Sequence, residues 1–383
     1  MLLDYALALA GLACGFWLLW RIPVCRVATR EDSEGASDVS VIIPARNEAS
    51  RLPNLLNSLA DQTVRPAQLI VVDDGSTDAT ADVARSLGAT VISPGALPTG
   101  WAGKPWACWN GALQATAQRM VFLDADVVLR PDGLARLVQE HRMRGGLLTV
   151  QPYHSVVRAY EQLSAWFNLV VMMGTGSFTP LGSRVQPKGA FGPCMVCRRD
   201  EYFMAGGHKA AADEVLEDIE VGRAFQRSGY AVHCLGGRGV VSFRMYPDGL
   251  GSLIEGWSKG FAIGASRVGP VTAIPVALWV TGCFGAFSDP LQHLLVGSYG
   301  SSWVSAVAPA VVYLAYAGQL RWMLGRVGTF RWWTWACFPL PLMFFVGLFL
   351  RSFWLTFVLK RVTWRGRVVR LRKEAVEDER VVT

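Results

Sequence analysis

The chain has 383 residues, a formal net charge of +7 at pH 7 and an apolar content of 51%. That length holds one domain of about 200–250 residues plus membrane segments, and the apolar excess, gathered at the two ends, argues against a wholly soluble protein. The basic residues between 360 and 373 stand beside an apolar run, which marks a cytoplasmic membrane face, and no recognition helix, zinc-finger spacing or aromatic–basic motif points to nucleic acid. The eight cysteines are scattered, with Cys194 and Cys197 as a lone C-x-x-C, so buried strand thiols in a reducing cytoplasm are expected rather than a disulfide framework or zinc site.

Residues 2–20 are about long enough to cross a bilayer. Asp4 is charged near the outer end, and Arg21, Arg26 and Arg30 follow the stretch. A cleaved signal peptide carries its positive charge first, so residues 1–21 are expected to be a retained transmembrane helix, with the N-terminus outside and the next domain cytoplasmic. Residues 22–38 read as a linker.

From Val39 the pattern alternates. Runs at 39–43, 68–72, 90–92 and 119–124 predict strands, and 48–60, 78–87, 105–117 and 131–142 predict helices between them; further strands are expected at 147–151, 191–197 and 231–235. Such alternation predicts a mostly parallel sheet flanked by helices, here over 39–265. Within it, residues 156–173 fit either a buried core helix or a helix lying at the membrane surface. Apolar runs at 271–287, 303–320 and 332–359 predict a C-terminal membrane region at 266–360, followed by a basic cytoplasmic tail at 361–383. Two crossings plus a re-entrant or interfacial segment keep the tail, Arg321, Arg326 and Arg331 on the cytoplasmic side. A multi-pass protein of the cell membrane is therefore expected.

Three acidic clusters follow in order: Val72-Asp73-Asp74-Gly75-Ser76-Thr77-Asp78, Asp124-Ala125-Asp126 and Glu217-Asp218-Ile219-Glu220. The first two end strand-like runs, which places carboxylates where α/β sheets bind nucleotides. Pro44-Ala45-Arg46-Asn47-Glu48 closes the first strand and suits a nucleotide through the amides of a helix start, with plain capping by Asn47 as the alternative. One carboxylate of Asp73 and Asp74 can accept the N3–H of uracil, while Asp78 reads as a helix cap. Asp124 and Asp126, one residue apart at a strand end, can hold Mg²⁺ or Mn²⁺ against the pyrophosphate of a nucleotide sugar. Asp218 is placed as the catalytic base, the alternative being an ordinary acidic first turn of a helix. Lys104, between Trp101 and Trp106, either contacts phosphate or is solvated. Glu217, Arg244, Trp257 and Lys259 are candidate contacts for diphosphate or acceptor, with membrane anchoring as the other reading of the last two. His208 reads as a turn residue rather than a metal ligand.

Taken together, PARNE at 44–48, VDDGSTD at 72–78, DAD at 124–126 and EDIE at 217–220 resemble the family 2 glycosyltransferases over about 39–243. The resemblance implies a GT-A fold, a UDP-sugar donor, Glu48 and Asp74 as nucleotide contacts, Asp124 and Asp126 as the metal pair, and Asp218 as the base of an inverting displacement. The Q-x-x-R-W motif of processive members is absent. Narrower stretches, GWAGKPWAC at 100–108, AFGPCMVCRRDEYFMAGGH at 190–208, FRMYPDG at 243–249 and GWSKGFAIGA at 256–265, are similar to the membrane-bound 4,4'-diaponeurosporenoate glycosyltransferases of carotenoid biosynthesis. That likeness implies transfer of glucose from UDP-glucose to the carboxylate of a carotenoid acid drawn from the bilayer. Such an acceptor is already ionised at neutral pH, which would leave Asp218 chiefly to position it. The rivals are transfer to another polyisoprenoid, hopanoid or lipid phosphate, and a scaffold or transporter with a dead transferase domain. The three intact clusters argue against the last.

Overall fold

The computed structural model describes residues 2–27, 38–214, 216–258, 261–296, 303–358, 361–364 and 367–370. After α1 (Leu2–Leu18) the chain runs β1 (Val39–Ala45), α2 (Leu52–Ala60), β2 (Gln68–Asp73), α3 (Thr80–Ser86), β3 (Thr90–Ile92), α4 (Gly103–Gln114), β4 (Arg119–Leu123), β5 (Val127–Leu129) and α5 (Gly133–Arg144). Next come β6 (Leu147–Gln151), β7 (Tyr153–His154), a 3-10 turn (Ala159–Ser164), α6 (Ala165–Gly174), β8 (Cys194–Arg198), α7 (Arg199–Met204), α8 (Glu217–Arg227), β9 (Val232–Gly236) and β10 (Val241–Phe243). Helices α9 (Leu250–Ser258), α10 (Phe261–Ser266), α11 (Pro270–Val296), α12 (Trp303–Val327), α13 (Trp332–Ala336) and α14 (Pro339–Phe353) complete the helical part, and β11 (Arg361–Trp364) pairs with β12 (Arg367–Arg370) near the C-terminus.

Seven strands form one sheet in the order β3-β2-β1-β4-β8-β6-β9. β1 is parallel to β2 and β4, but β8 is antiparallel to β4 and β6, so the sheet is mixed. β8 returns from the end of the sheet where Asp124 sits, and the Asp124 amide donates to Pro193 O at 3.0 Å. Along β1 the two-residue period divides the core. Val39, Val41, Ile43 and Ala45 join Leu52, Leu55, Leu56 and Leu59 of α2, whereas Ile42 joins Ala107, Cys108 and Ala112 of α4. Each such leucine contributes about 1.5–3 kcal/mol when buried. A second sheet, β5-β10-β7, has strands of only three, three and two residues. Runs so short leave no periodicity to read.

Element ends shift by up to four residues from expectation, as in the helices Thr80–Ser86, Gly103–Gln114 and Gly133–Arg144. Asn47 adopts φ 54°, a left-handed conformation that cannot start a right-handed helix. The helix expected from Glu48 begins at Leu52, with a proline in its first turn. Strand β8 likewise begins at Cys194 rather than at 191.

The stretch at 156–173 resolves into the buried alternative. Trp166, Phe167, Leu169, Met172 and Met173 of α6 are enclosed among Leu18 and Leu19, Trp279 of α11, Tyr316 and Leu320 of α12, Phe338 just before α14, and Phe345 of α14. Trp166 meets Trp279 at 4.6 Å between ring centroids. Helix α1 lies against α11 and α12, and from α12 the Tyr316 hydroxyl donates to Ala8 O at 2.7 Å and Gln319 Nε2 to Leu12 O at 2.7 Å. By length and composition, two described stretches suffice to cross a membrane, Pro270–Gln292 and Pro339–Val358, while the apolar part of α1, Asp4–Leu18, is shorter.

Candidate active site

Register brings the first two acidic clusters together. Ala45 at the end of β1 pairs with Asp73 at the end of β2, and Ile42 with Phe122 on β4, so the loops after all three strands open at one edge. Pro44 lies on β1 opposite Val72. Arg46 donates from NH1 to Asp74 O at 3.0 Å and lies 3.5 Å from Asp74 Oδ2. Asp73 turns back to accept from the Ser76 amide at 3.2 Å. Asn47, rather than capping a helix, accepts from the Thr77 amide at 2.7 Å, and Asp78 accepts from the amides of Ala49 at 3.2 Å and Thr80 at 3.0 Å. These two side chains stitch the first loop to the second and hold the start of α3.

Helix α4 begins against this edge. Gly103 leaves no room for a Cβ, which would collide with Asp74 Oδ2. The next residue, Lys104, places its ammonium 2.7 Å from Asp124 Oδ1 and 2.9 Å from Glu217 Oε1. Burial alone would lower the Lys104 pKa, but these two carboxylates outweigh it and hold the ammonium well above its ordinary range. Glu217 is correspondingly held below its ordinary value against the push of burial, chiefly by Lys104. Lys104 is thus an ion-paired bridge between the second and third acidic clusters, not a solvated lysine.

The partner acid in each cluster behaves otherwise. Asp218 accepts from the Gly192 amide at 3.1 Å and from its neighbour Ile219 at 2.9 Å. A Cβ on Gly192 would lie 3.2 Å from Asp218 Cβ and 3.3 Å from Lys104 Nζ, so a glycine there lets the backbone reach both. Burial and the adjacent Glu217 push Asp218 up to about 7 despite those amides. Asp126 is pushed up to about 7 as well, by burial and by the charges of Asp124 and Glu48. Among the described residues no three carboxylate, imidazole or thiolate groups form a closed metal cluster. What the site offers a cation is Asp124 and Asp126 on one turn, with mutual repulsion that a divalent ion would relieve.

The remaining candidates are placed differently. Glu48, buried, has its amide bound to Thr80 Oγ1 at 2.8 Å and its carboxylate 3.5 Å from Arg51. Arg51, which the sequence reading passed over, also pairs with Asp248 and so ties the 246–248 segment to the donor edge; its position three residues after Glu48 was the available signal. Arg244 donates from Nε at 3.0 Å and NH2 at 2.6 Å to Glu161 Oε1, on the buried carboxylate of the 3-10 turn. Trp257 is 8% exposed, stacks on Phe167 at 4.7 Å and 17°, and donates to Ser164 Oγ at 3.1 Å, so its ring is a packing surface. Lys259 lies outside the described residues. His208 is buried behind Glu217 with Nδ1 2.8 Å from the Tyr202 hydroxyl, and burial pushes it down to about 3. Cys194 and Cys197 are buried strand thiols, unpaired.

The family model for glycosyl transferase family 2 matches residues 40–200. Among solved structures, a mannosyltransferase from Pyrobaculum calidifontis in complex with GDP-Man and Mn²⁺ is 18% identical with a TM-score of 0.53, covering 91% of this chain and 97% of that one. This likeness concerns the fold. The chain is 37% identical over 368 residues to 4,4'-diaponeurosporenoate glycosyltransferases of Staphylococcus aureus strains MRSA252 and NCTC 8325 / PS 47, covering 95% of this chain and 96% of each relative. With a GT-A fold and that identity along nearly its whole length, the chain belongs to glycosyl transferase family 2.

Proposed function

We propose that the protein transfers glucose from UDP-glucose to the carboxylate of a carotenoid acid of the 4,4'-diaponeurosporenoate type, with inversion at the sugar carbon. The observation that carries this reading is the Lys104 bridge. One ammonium joins Asp124 to Glu217, so the strand-end acids and the helix-start acids share one site beside Asp218. A transferase needs its donor charge and its acceptor group together, and this is the arrangement that supplies both.

In this mechanism Arg46, Glu48, Asp73 and Asp74 line the nucleotide edge, and Asp124 with Asp126 would hold Mg²⁺ or Mn²⁺. Such an ion, when bound, neutralises charge on the departing diphosphate. Lys104 adds a fixed positive charge beside the same position. An acceptor carboxylate oxygen bonds to the sugar carbon as the bond from that carbon to the diphosphate oxygen breaks, and the electron pair leaves with UDP. No proton has to be removed from an ionised acceptor. Asp218, protonated below about 7, can then donate a hydrogen bond to the acceptor carboxylate and orient it. With a hydroxyl acceptor the ionised form would serve as base.

We read the protein as membrane-bound. Large apolar side chains stay exposed on α1 (Leu9, 65%), α11 (Val271, 80%), α12 (Leu314, 67%) and α14 (Leu340, 62%), a set that lipid would cover. Helix α14 packs beside the 3-10 turn, α6, α9 and α10, which ties the C-terminal apolar region to the catalytic domain. On this reading residues 39–265 are the cytoplasmic catalytic domain. The test is incubation of the purified full chain with UDP-glucose and 4,4'-diaponeurosporenoate, with mass spectrometry of the lipid. A glucosyl ester is expected; UDP release with no sugar-bearing lipid would sink the acceptor assignment.

A further inference from the structure

The root of α11 reaches the site through one ion pair. Arg267, three residues before Pro270, places NH2 2.6 Å from Glu214 Oε2, and the two side chains are 20% and 30% exposed. The Arg267 amide donates to Gly264 O at 3.1 Å, so α10 ends at this point. A Cβ built on Gly264 would lie 3.5 Å from Leu216 Cδ1, so α10 passes close beside Leu216. Leu216 immediately precedes Glu217 and Asp218. On the other side, the Glu214 amide donates to Ala211 O at 3.2 Å, and Ala212 O accepts from the Ala102 amide at 2.6 Å, two residues before Lys104. The pair therefore grips the chain between the contact that seats Lys104 and the acids that Lys104 and the acceptor need.

We propose that Arg267 and Glu214 are a positioning pair for catalysis, fixing Leu216 and through it the orientation of Glu217 towards Lys104 and of Asp218 towards the acceptor. This rests on the assignment of Asp218 to the reacting site. Because Arg267 stands where the catalytic domain meets α11, the pair also ties the site to the helix that would enter the bilayer. Ion pairs with this much exposure add little to global stability, so their loss shows in turnover rather than in unfolding.

The test uses the full chain in lipid, with UDP-glucose and 4,4'-diaponeurosporenoate. Glu214→Gln and Arg267→Gln are each expected to lower kcat about tenfold, with KM for UDP-glucose within about twofold and the melting temperature unchanged. Arg267→Lys and the exchanged double variant Glu214→Arg/Arg267→Glu restore kcat to within about threefold, since the pair and not either side chain alone carries the effect. Unaltered kcat in both Gln variants overturns the proposal. So does a loss that neither restoring variant relieves, or one that follows a fall in melting temperature. Asp218→Asn is run alongside. If it too is fully active, the assignment of Asp218 fails; if it is impaired while Glu214→Gln and Arg267→Gln are not, the positioning pair alone fails.

Discussion

At the Asp124-Ala125-Asp126 turn and at the start of α8, the first acid binds Lys104 and the second is pushed up to about 7. The causes differ. Asp126 is raised by burial with the repulsion of Asp124 and Glu48. Asp218 is raised by burial and Glu217 while two amides hold its oxygens in place. A carboxylate crowded by other carboxylates gains most from a cation. A carboxylate fixed by amides can present one proton, or its absence, in a set direction. The difference supports the proposed roles, a cation beside Asp126 and the acceptor beside Asp218, although the local sequences are both short acidic runs.

The largest effect should come from the cation side. Asp126→Asn, or excess chelator on the unmodified protein, is expected to lower kcat by about 10³-fold, with Mn²⁺ restoring the chelated protein only. Turnover that persists in chelator would erase the distinction between the clusters. Lys104→Met removes the bridge and the positive charge it sets against Asp124 and Glu217; a fall in kcat/KM of about 10- to 100-fold is expected, read from initial rates against UDP-glucose. A smaller loss is expected for Asp218→Asn. With a carotenoid acid it should cost about tenfold, against about 10²- to 10⁴-fold were a hydroxyl the acceptor. Equal losses in both clusters would show that Asp218 is a proton acceptor after all.

The pH profile gives the finest division. Asp218 is raised from its ordinary value to about 7, so it is protonated below that pH and ionised above it. An ionised Asp218 repels an ionised acceptor, so KM for the carotenoid acid should rise several-fold as pH passes upward through about 7. A hydroxyl acceptor would instead make kcat/KM rise over the same window. Glu217→Gln removes the charge that helps raise Asp218 and should move the midpoint to lower pH. A midpoint that stays put would show that burial alone sets it.

Much of the donor side was legible because its signals are local. An apolar run followed at once by acids fixes both the strand and the edge where its carboxylates emerge, so β1, β2, β4 and their clusters could be read residue by residue. Residues whose role depends on a distant partner could not. Nothing around Trp257 reveals that Phe167 covers its face, and Arg244 has no sequence neighbour that announces Glu161. Nor could composition choose between a core and a surface place for α6, since both are apolar.

By itself, then, the sequence determined the α/β alternation, the order of the three acidic clusters and the apolar ends, because strand burial, turn chemistry and hydrophobic length are properties of short segments. Only the tertiary structure decided which acids share a cation and which are left to titrate near neutrality. Lys104 meets Asp124 20 residues away and Glu217 113 residues away. Ion pairing and desolvation act through space, and the fold sets those distances.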